Sequence, residues 1–297
     1  MVPIALDAIG TLGRHRGFDP PPLPFHDPPD PSQSQPQSES PVKIATWNVN
    51  SIRQRETHVL RWLERCQPDV LVLQEIKCEA AAFPALTFQG AGYQAEIVGQ
   101  KSYNGVTVLA RVPFRVVHRA LPGLPDDDGQ ARYIEIEAGG VTIIGIYLPN
   151  GNSRGEEGFA YKLAWMDLLA ERARALLEAD APCVILGDFN VAPTEEDYAP
   201  GALSPTDALV RPESRAALRK MVWMGLTDAV RALHPHGPIY TFWDYQAGAW
   251  QRDSGLRIDH ALLSPTLAER LVSAEPDRME RDQPQPSDHV PVMVELS

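Results

Sequence analysis

The stretch from Cys183 to Asn190 reads CVILGDFN: an apolar run that ends in a glycine, an acid and an amide. A short uninterrupted apolar run is typical of a buried strand. An acid that follows such a strand lies at the rim of a sheet, where catalytic groups collect on a rigid scaffold. Asp188 alone is explained as well by a turn or a helix cap, so the interpretation depends on whether the pattern recurs.

The pattern recurs elsewhere in the chain. Ile44–Trp47 runs into Asn48-Val49-Asn50, Val70–Leu73 runs into Gln74-Glu75, and Ser287-Asp288-His289 opens the apolar run Val290–Glu295. The resulting set of hard oxygen donors with one imidazole comprises Asn48, Glu75, Asp188, Asn190, Asp259, Asp288 and His289. Oxygen donors suit Mg²⁺ or Mn²⁺, and the lack of paired histidines or cysteines makes zinc a poor fit.

Strand and helix patterns fill the chain between these points. The β-rich runs are Lys43–Trp47, Val70–Gln74, Val106–Ala110, Tyr133–Glu137, Val141–Tyr147, Cys183–Gly187, Ile258–Leu263 and Val290–Glu295. Helical periodicity occurs at Arg53–Cys66, Phe159–Ala179 and Glu213–Met224. Strands interleaved with a few helices predict layered α/β or α+β packing, in one domain that covers residues 42–297.

Residues 1–41 have a different composition. They contain 10 of the 28 prolines, and the part from Asp19 to Pro41 has almost no aliphatic residues. Such a segment cannot bury enough apolar surface to offset the entropy of ordering, so we expect a disordered, proline-rich tail. A PxxP ligand for a partner domain is the alternative interpretation.

Composition limits the class of protein. No apolar stretch approaches 18 residues, which argues against a membrane span. Asp7 interrupts the apolar residues near the start, and no basic segment precedes them, which argues against secretion. Three scattered cysteines fit a reducing cytoplasm better than a disulfide framework. A net charge of −12 argues against a broad basic surface, but it allows a site where carboxylates hold a cation that binds phosphate.

Six ordered motifs connect these residues to a known family. They are Trp47-Asn48-Val49-Asn50, Leu73-Gln74-Glu75-Ile76-Lys77, Tyr147-Leu148-Pro149-Asn150-Gly151, Gly187-Asp188-Phe189-Asn190, Leu256-Arg257-Ile258-Asp259 and Ser287-Asp288-His289-Val290-Pro291-Val292. From Lys43 to Glu295 the chain resembles the exonuclease III type of AP endonuclease, within the endonuclease/exonuclease/phosphatase superfamily. Lys77, the Tyr147 motif and Trp243-Asp244-Tyr245 favour this DNA-repair branch over DNase I-like nucleases, inositol phosphatases and sphingomyelinases.

The resemblance implies a fold and an activity. The fold would be a four-layer α/β sandwich, with two mixed β-sheets packed face to face and helices outside. The activity would be that of a Mg²⁺-dependent (or Mn²⁺-dependent) DNA repair nuclease: AP endonuclease, 3′-phosphodiesterase and 3′→5′ exonuclease on duplex DNA, acting as a cytoplasmic monomer. The resemblance leaves open whether the site binds one metal ion or two. It also leaves open the balance between the endonuclease and exonuclease activities.

The resemblance also assigns roles to residues. Glu75 would be the principal metal ligand, with Asn48 and Asp288 beside it and Asp188, Asn190 and His289 in the same cluster; Asn50 would lie behind these ligands. Asp188 would orient and deprotonate the attacking water, and Asn190 would bind the phosphate or hold Asp188. His289 would donate to a phosphate oxygen while Asp259 orients its ring. Tyr147 and Asn150 would contact the phosphate and the DNA backbone.

Substrate recognition would depend on a second group of residues. Phe242, Leu256 and Ile258 match an apolar pocket for a flipped, base-less sugar, and Tyr103 and Asn104 match a minor-groove loop. Candidate phosphate contacts are Lys77, Lys101, Arg154, Lys162, Arg252 and Arg257. Asn50 stands where some relatives carry Asp, and Leu256 where some carry a large aromatic residue.

Two other functions are alternatives to this one. A phosphodiesterase or phosphatase of the same superfamily that acts on a non-DNA substrate, such as a lipid or inositol head group, would need hydrophobic membrane-docking loops, and the sequence offers none. A non-catalytic DNA-binding relative would need a broken active-site motif, and all six motifs are intact.

Overall fold

A computed structural model of the chain describes residues 42–297. All six motifs lie within this range. The disordered tail expected for residues 1–41 lies outside the described residues.

Twelve strands form within residues 42–297. In chain order they are β1 (Val42–Asn48), β2 (Val70–Gln74), β3 (Gln94–Val98), β4 (Val106–Ala110), β5 (Phe114–His118), β6 (Tyr133–Ala138), β7 (Val141–Tyr147), β8 (Cys183–Asp188), β9 (Thr227–Asp228), β10 (Asp259–Leu263), β11 (Leu271–Pro276) and β12 (Val292–Leu296). They make two six-stranded sheets, with orders β11-β12-β1-β2-β4-β3 and β5-β6-β7-β8-β10-β9. Each sheet is mixed, because β1 and β2 are parallel in the first and β7 and β8 are parallel in the second, among antiparallel neighbours.

Six α-helices accompany the sheets in the described part of the chain. They are α1 (Ile52–Cys66), α2 (Ala85–Gly90), α3 (Gly155–Glu178), α4 (Pro212–Trp223), α5 (Ala229–Leu233) and α6 (Pro265–Ala268). Short 3₁₀ turns occur at Ala80–Ala82, Glu195–Asp197 and Arg278–Asp282. None of the helices in residues 42–297 is long and apolar enough to cross a membrane.

The two sheets pack directly on each other. Val70 and Val72 of the first sheet share a buried apolar cluster with Ile134 and Ile136 of the second. The sheets approach each other closely at Gly145 of β7, where a Cβ atom would lie 2.4 Å from Cγ1 of Val72. A side chain at this point would force the sheets apart, so glycine allows close packing.

Helices cover the outer faces of both sheets. The buried face of α1, with Ile52, Val59 and Trp62, packs on Ala45 and Leu71 of the first sheet. Apolar side chains of α3 and α4 pack on the second sheet in a separate cluster that includes Trp165, Leu169, Leu218, Met221 and Ile185. Full burial of each large apolar side chain contributes about 1.5–3 kcal/mol. The predicted four-layer sandwich, with two mixed sheets inside and helices outside, is confirmed.

Most predicted elements agree with the observed ones to within a few residues. The last strand is an exception at its start, since it begins at Val292 rather than at Val290. Pro291 has no N–H for a sheet ladder, and its carbonyl accepts a hydrogen bond from the Asp277 N–H instead. Residues 287–291 are therefore a loop that leads into β12.

Candidate active site

The carboxyl ends of the central strands meet at one edge of the sandwich. β1 and β2 are parallel and pair Asn48 with Gln74, so Glu75 emerges beside Asn48. In the second sheet, β7 and β8 are parallel and pair Tyr147 with Asp188. β10 runs antiparallel to β8 and starts with Asp259 opposite Asp188. Both sheets therefore contribute polar side chains to the same edge.

The backbone turns sharply where these strands end. Asn50, Glu75, Lys77 and Asn190 all have positive φ angles, of 43°, 51°, 54° and 49°. Non-glycine residues adopt this left-handed region at a cost and concentrate at functional sites when they do. A backbone hydrogen bond of 2.7 Å from the Ser51 N–H to the Glu75 carbonyl ties two of these turns together.

Gly187 is required by the close packing of β7 against β8. Its φ is +148°, and a Cβ atom at this position would lie 2.0 Å from the Ile146 carbonyl oxygen. A larger residue would push β8 away from β7 and displace the neighbouring carboxylate of Asp188. This close contact explains why a glycine precedes Asp188.

Asn48 joins the two halves of the site. Its Nδ2 donates to Oε1 of Glu75 at 2.8 Å and to Oδ2 of Asp188 at 3.0 Å. Its Oδ1 accepts the Asn50 N–H at 3.0 Å. The amide of Asn48 is thus fully buried between carboxylates from the two sheets. In this arrangement Asn48 directs its nitrogen to the carboxylates.

Glu75 lies beside a lysine. Nζ of Lys77 is 2.8 Å from Oε2 of Glu75 and also donates to Oδ1 of Asn50. Burial by itself would raise the pKa of Glu75, but the Lys77 ammonium and the Asn48 amide lower this pKa below its ordinary value. Glu75 is therefore ionised at neutral pH and available as an oxygen ligand.

His289 is held by a buried carboxylate. Its Nδ1 is 2.8 Å from Oδ2 of Asp259, which also accepts the Thr241 hydroxyl at 2.6 Å. Burial would lower the pKa of His289, but Asp259 outweighs it and raises this pKa to about 10. The other ring nitrogen, Nε2, lies 3.8 Å from Oδ2 of Asp188. The ring is thus positioned as a cationic donor that faces the site.

Asp188 is enclosed on all sides. Oδ1 accepts the Asn190 N–H at 2.9 Å, while Oδ2 accepts from Asn48 and faces His289. Burial raises the pKa of Asp188, and the negative charge of Asp259 adds to this effect while His289 opposes it. A carboxylate with a raised pKa is a stronger base than an exposed one.

The Tyr147 motif lies at the second sheet's side of the site. Burial, with the charges of Glu75 and Asp188, raises the pKa of Tyr147 well above its ordinary value, so its hydroxyl stays protonated. The guanidinium of Arg132 lies 4.7 Å from the Tyr147 ring centroid. Asn150 donates to Oδ1 of Asn190 at 2.9 Å. The structure thus brings Tyr147, Asn150 and Asn190 to one side of Asp188.

Asp288 and Asn50 lie at the other end of the cluster. Nδ2 of Asn50 donates to Oδ1 of Asp288 at 3.1 Å. Arg55 donates to the Asn50 carbonyl at 2.7 Å and to the Tyr245 hydroxyl at 2.8 Å. These contacts connect the start of α1 to the loop that carries Asp288 and His289.

An apolar cluster adjoins the imidazole. The Phe242 ring packs edge-on against His289, with 4.9 Å between centroids. Leu256 and Ile258 belong to a buried cluster against which Phe242 packs, and both are at least 95% buried. Tyr103 is 71% exposed, whereas Asn104 is buried and donates to Gln100 at 2.8 Å. The two residues of the expected minor-groove loop thus differ, and only Tyr103 presents its side chain to solvent.

Two of the expected phosphate contacts are wrong. Arg257 is 1% exposed, and its guanidinium pairs with Asp197 at 2.6 Å and with Asp228 at 2.7 Å. Lys162 is fully buried, and burial lowers its pKa to about 7. Neither side chain can reach a DNA backbone. Arg154, directly before α3, is exposed but forms an ion pair with Glu157 in the first turn of that helix.

Three supporting side chains were missed by the sequence interpretation. The Thr241 hydroxyl donates to Asp259, that of Ser287 donates to the Asn48 carbonyl at 2.7 Å, and Nε1 of Trp47 donates to the His289 carbonyl at 3.1 Å. Trp47 and Ser287 lie inside quoted motifs, and Thr241 lies directly before Phe242. Their position beside the assigned residues was the available signal.

In the part of the chain that the structure describes, one group of acidic and histidine side chains could hold a metal ion. Glu75, Asp188 and His289 each offer one ligand atom, and these atoms lie within 4.8 Å of one another. The imidazole can act as a ligand only after it loses the proton that Asp259 helps it to keep. Two carboxylate oxygens in a buried amide-rich setting fit a hard divalent cation such as Mg²⁺ or Mn²⁺.

Comparison with known proteins agrees with this geometry. The model of the "Endonuclease/Exonuclease/phosphatase family" matches residues 45–289. Exodeoxyribonuclease III of Haemophilus influenzae is 33% identical over 267 residues, which cover 86% of this chain and all of that protein. The structure of a 3′ phosphatase, NExo, from Neisseria bound to a product DNA hairpin is 39% identical with a TM-score of 0.82, over 86% of this chain and 99% of that one. An AP endonuclease from Archaeoglobus fulgidus is 36% identical with a TM-score of 0.81, over 86% and 99%.

Proposed function

Because the chain belongs to the endonuclease/exonuclease/phosphatase family, we propose that it hydrolyses phosphodiester bonds of duplex DNA at abasic sites and at 3′ ends. It is a hydrolytic DNA repair nuclease, similar along most of its length to exodeoxyribonuclease III and to AP endonuclease structures. The observation that carries the proposal is the Asn48 amide, which binds a carboxylate from each sheet and so joins Glu75 and Asp188 in one site.

Glu75 is the proposed principal ligand of a Mg²⁺ or Mn²⁺ ion. Its carboxylate is ionised and lies within reach of the other ligand atoms of the cluster. Asn48 is hydrogen-bonded to Glu75 and would serve as a ligand if its amide turned to present oxygen. Asp288, which accepts a hydrogen bond from Asn50, is a further proposed ligand. When bound, the ion would neutralise the scissile phosphate and stabilise the leaving 3′-oxygen.

Asp188 is the proposed base for the attacking water. The Asn190 N–H and the Asn48 amide hold its two oxygens in place. Its raised pKa favours proton transfer from water to the carboxylate. Asn190 also joins the loop after β8 to the loop after β7, because its Nδ2 donates to the Leu148 carbonyl at 2.9 Å.

His289 is the proposed donor to a non-bridging phosphate oxygen. Asp259 fixes the ring through Nδ1 and keeps it charged, which leaves Nε2 free to face the phosphate. A fixed cationic donor stabilises the charge that develops in a pentacovalent transition state. The protonated Tyr147 hydroxyl would supply a second donor from the other side.

The apolar cluster beside His289 is the proposed pocket for the sugar. Phe242, Leu256 and Ile258 provide its walls. A nucleotide that has already lost its base is flipped at the lowest cost, and a small apolar pocket accepts the bare sugar. Tyr103, exposed on the loop before β4, would contact the minor groove.

A single assay tests the proposal. A duplex with one abasic site should be cut at that site in Mg²⁺ or Mn²⁺ and remain intact in EDTA, and a 3′-phosphate at a duplex end should be removed under the same conditions. The matched control is the same duplex with an ordinary nucleotide at the abasic position. Absence of cleavage with either metal, or cleavage that EDTA leaves unchanged, would contradict the proposal.

We further propose that the enzyme acts as a monomer in the cytoplasm. Cys66, Cys78 and Cys183 are unpaired thiols, which fits a reducing compartment.

A further inference from the structure

Lys162 lies in the middle of α3 with its side chain fully buried. Its Nζ donates to three main-chain carbonyls: those of Asn190 at 2.6 Å, Asn150 at 3.0 Å and Ala208 at 3.3 Å. Each carbonyl belongs to a different loop, which follows β7, follows β8 or precedes α4. One ammonium group thus joins three loops that are far apart in sequence.

Burial of this ammonium group costs free energy of folding. Within residues 42–297, Lys162 forms no direct salt bridge with a carboxylate; three carbonyls bind its Nζ, and the charges of Asp188 and Asp207 favour its charged form from a greater distance. A buried cation costs several kcal/mol in lost hydration, and an apolar side chain of the same volume is often at least as stable at such a site. A lysine at this position therefore calls for a reason other than stability.

The three bonds lead directly to the active site. The Asn190 carbonyl is bound by Lys162, while the N–H of the same residue donates to Oδ1 of Asp188. Asn190 has a φ of 49°, which needs support from its surroundings. The Asn150 carbonyl is bound by the same ammonium, and the side chains of Asn150 and Asn190 bond each other.

We propose that Lys162 is a positioning residue for hydrolysis: by holding the carbonyls of Asn150 and Asn190, it fixes the two asparagine side chains and the carboxylate of Asp188. The inference rests on the proposed nuclease function. Lys162 touches no substrate, so its effect on the reaction passes through the residues that it holds. A displacement of reacting groups by about 1 Å can lower turnover on the order of 10²-fold.

The test compares two substitutions in the full-length protein. Lys162→Met keeps nearly the same volume but removes the three donors, while Lys162→Arg adds volume and keeps donors and charge. If donation matters, Lys162→Met should lower kcat on the abasic duplex about 10²-fold with KM within about threefold, and Lys162→Arg should retain more turnover. If Lys162 only fills space, the order reverses and the proposal is overturned.

Two control variants separate positioning from loss of stability. Ser214→Ala removes a 2.7 Å hydrogen bond to the same Ala208 carbonyl but leaves those of Asn150 and Asn190 bound. Arg172→Met breaks a buried ion pair with Glu135 on the outer face of the second sheet. Both should keep kcat within about threefold of the wild type at temperatures below their melting points. A loss of kcat in Arg172→Met as large as in Lys162→Met would mean that the effect is general destabilisation.

A double substitution tests the route through Asn190. In an Asn190→Ala background, Lys162→Met should lower kcat by a smaller factor than in the wild type, since both changes act on the position of Asn190. Equal factors in the two backgrounds would place the effect of Lys162 elsewhere and overturn the proposal.

Wild-type protein provides a readout that does not depend on activity. The chain has five lysines, Lys43, Lys77, Lys101, Lys162 and Lys220. In ¹⁵N-lysine spectra, the Nζ protons of Lys162 should exchange with water far more slowly than those of exposed Lys101, with Lys162→Arg providing the assignment. Fast exchange at Lys162 would overturn the proposal even if Lys162→Met failed to fold. An inactive wild-type enzyme with slow exchange would contradict only the nuclease function.

Discussion

Nδ1 of His289 lies 2.8 Å from Oδ2 of Asp259, and both side chains are buried. Asp259 starts β10 opposite Asp188, whereas His289 precedes β12, so the pair joins the second sheet to a loop of the first. The carboxylate both orients the ring and stabilises its charged form.

Removal of the imidazole should therefore affect turnover more than DNA binding. His289→Ala is expected to lower kcat about 10²–10³-fold, as for a single oxyanion donor, with a much smaller change in KM. In the double variant with Asp259→Asn, the loss should be clearly smaller than the product of the single losses, because both act through one imidazole. Single-turnover kinetics of the four proteins measure this; independent effects would assign Asp259 to another task.

Asp259→Asn should also change the pH dependence. The folded pKa of His289 is raised to about 10 by the carboxylate, so its loss lowers this pKa towards or below the ordinary value of about 6.5. The imidazolium then loses its proton as the pH rises through that lower pKa. The variant should be impaired less at pH 6 than at pH 9, and a pH profile parallel to that of the wild type would contradict the assignment.

Glu75→Gln should separate metal binding from folding. The amide keeps the shape of the side chain but removes the charge on which a divalent ion depends. We expect a large rise in the Mg²⁺ concentration needed for half-maximal activity, a fall in turnover, and weaker Mn²⁺ binding by calorimetry. Glu280→Gln, which alters a buried carboxylate paired with Arg61 and Arg65, is the matched control. Near-wild-type activity of Glu75→Gln at low Mg²⁺ would remove Glu75 from the site.

Asp197 should stabilise the protein at neutral pH and lose this effect in acid. Burial would raise its pKa, but Arg257 and Arg231 lower it far below the ordinary value. The unfolded chain then binds a proton more readily than the folded one below about pH 4, so the stabilisation is complete above that pH and is lost as the pH falls.

Asp197→Asn should lower the free energy of unfolding by about 3–5 kcal/mol at pH 7, since it deprives the buried Arg257 of one of its two carboxylate partners. Its unfolding free energy should also fall less steeply than that of the wild type between about pH 5 and pH 2. Denaturant unfolding across this range measures both effects. Asp167→Asn, which alters an exposed pair with Lys220, should change stability by less than about 1 kcal/mol.

Residues 1–41 should contribute nothing to the core. With almost no aliphatic side chains in most of this segment, its deletion should leave the melting temperature and abasic-site cleavage unchanged within error. Calorimetry and the cleavage assay on the shortened chain provide the measurement. A drop of several degrees would show that the segment docks on the domain.

The central strands could be predicted from the sequence, but the four edge strands could not. β3 and β11 border the first sheet and β5 and β9 border the second, and these four strands had no predicted counterpart. Central strands are buried on both faces and read as continuous apolar runs, as in Val70–Gln74. An edge strand such as β5 alternates half-buried and exposed residues and gives no such run.

The site residues also divide into those that could be placed from the sequence and those that could not. Carboxylates such as Glu75 and Asp188 follow apolar strands, so their meeting at one edge could be predicted. Arg257 and Lys162 could not be placed, because a basic residue in a motif looks the same whether it binds DNA or lies buried. Only the three-dimensional structure shows that Arg257 forms ion pairs with Asp197 and Asp228, and that three carbonyls accept hydrogen bonds from Lys162.

The first and last strands of the described chain lie side by side in one sheet, where β12 is inserted between β11 and β1. Asp288 and His289 precede β12, and the His289 carbonyl is tied to Trp47 across 242 positions of sequence. During synthesis on the ribosome, a nascent chain that stops short of residue 288 carries Glu75 and Asp188 but lacks His289, the proposed hydrogen-bond donor to the phosphate, and the strand β12 that follows it. On the proposed mechanism, hydrolysis would therefore begin only after the segment that carries Asp288 and His289 has been made.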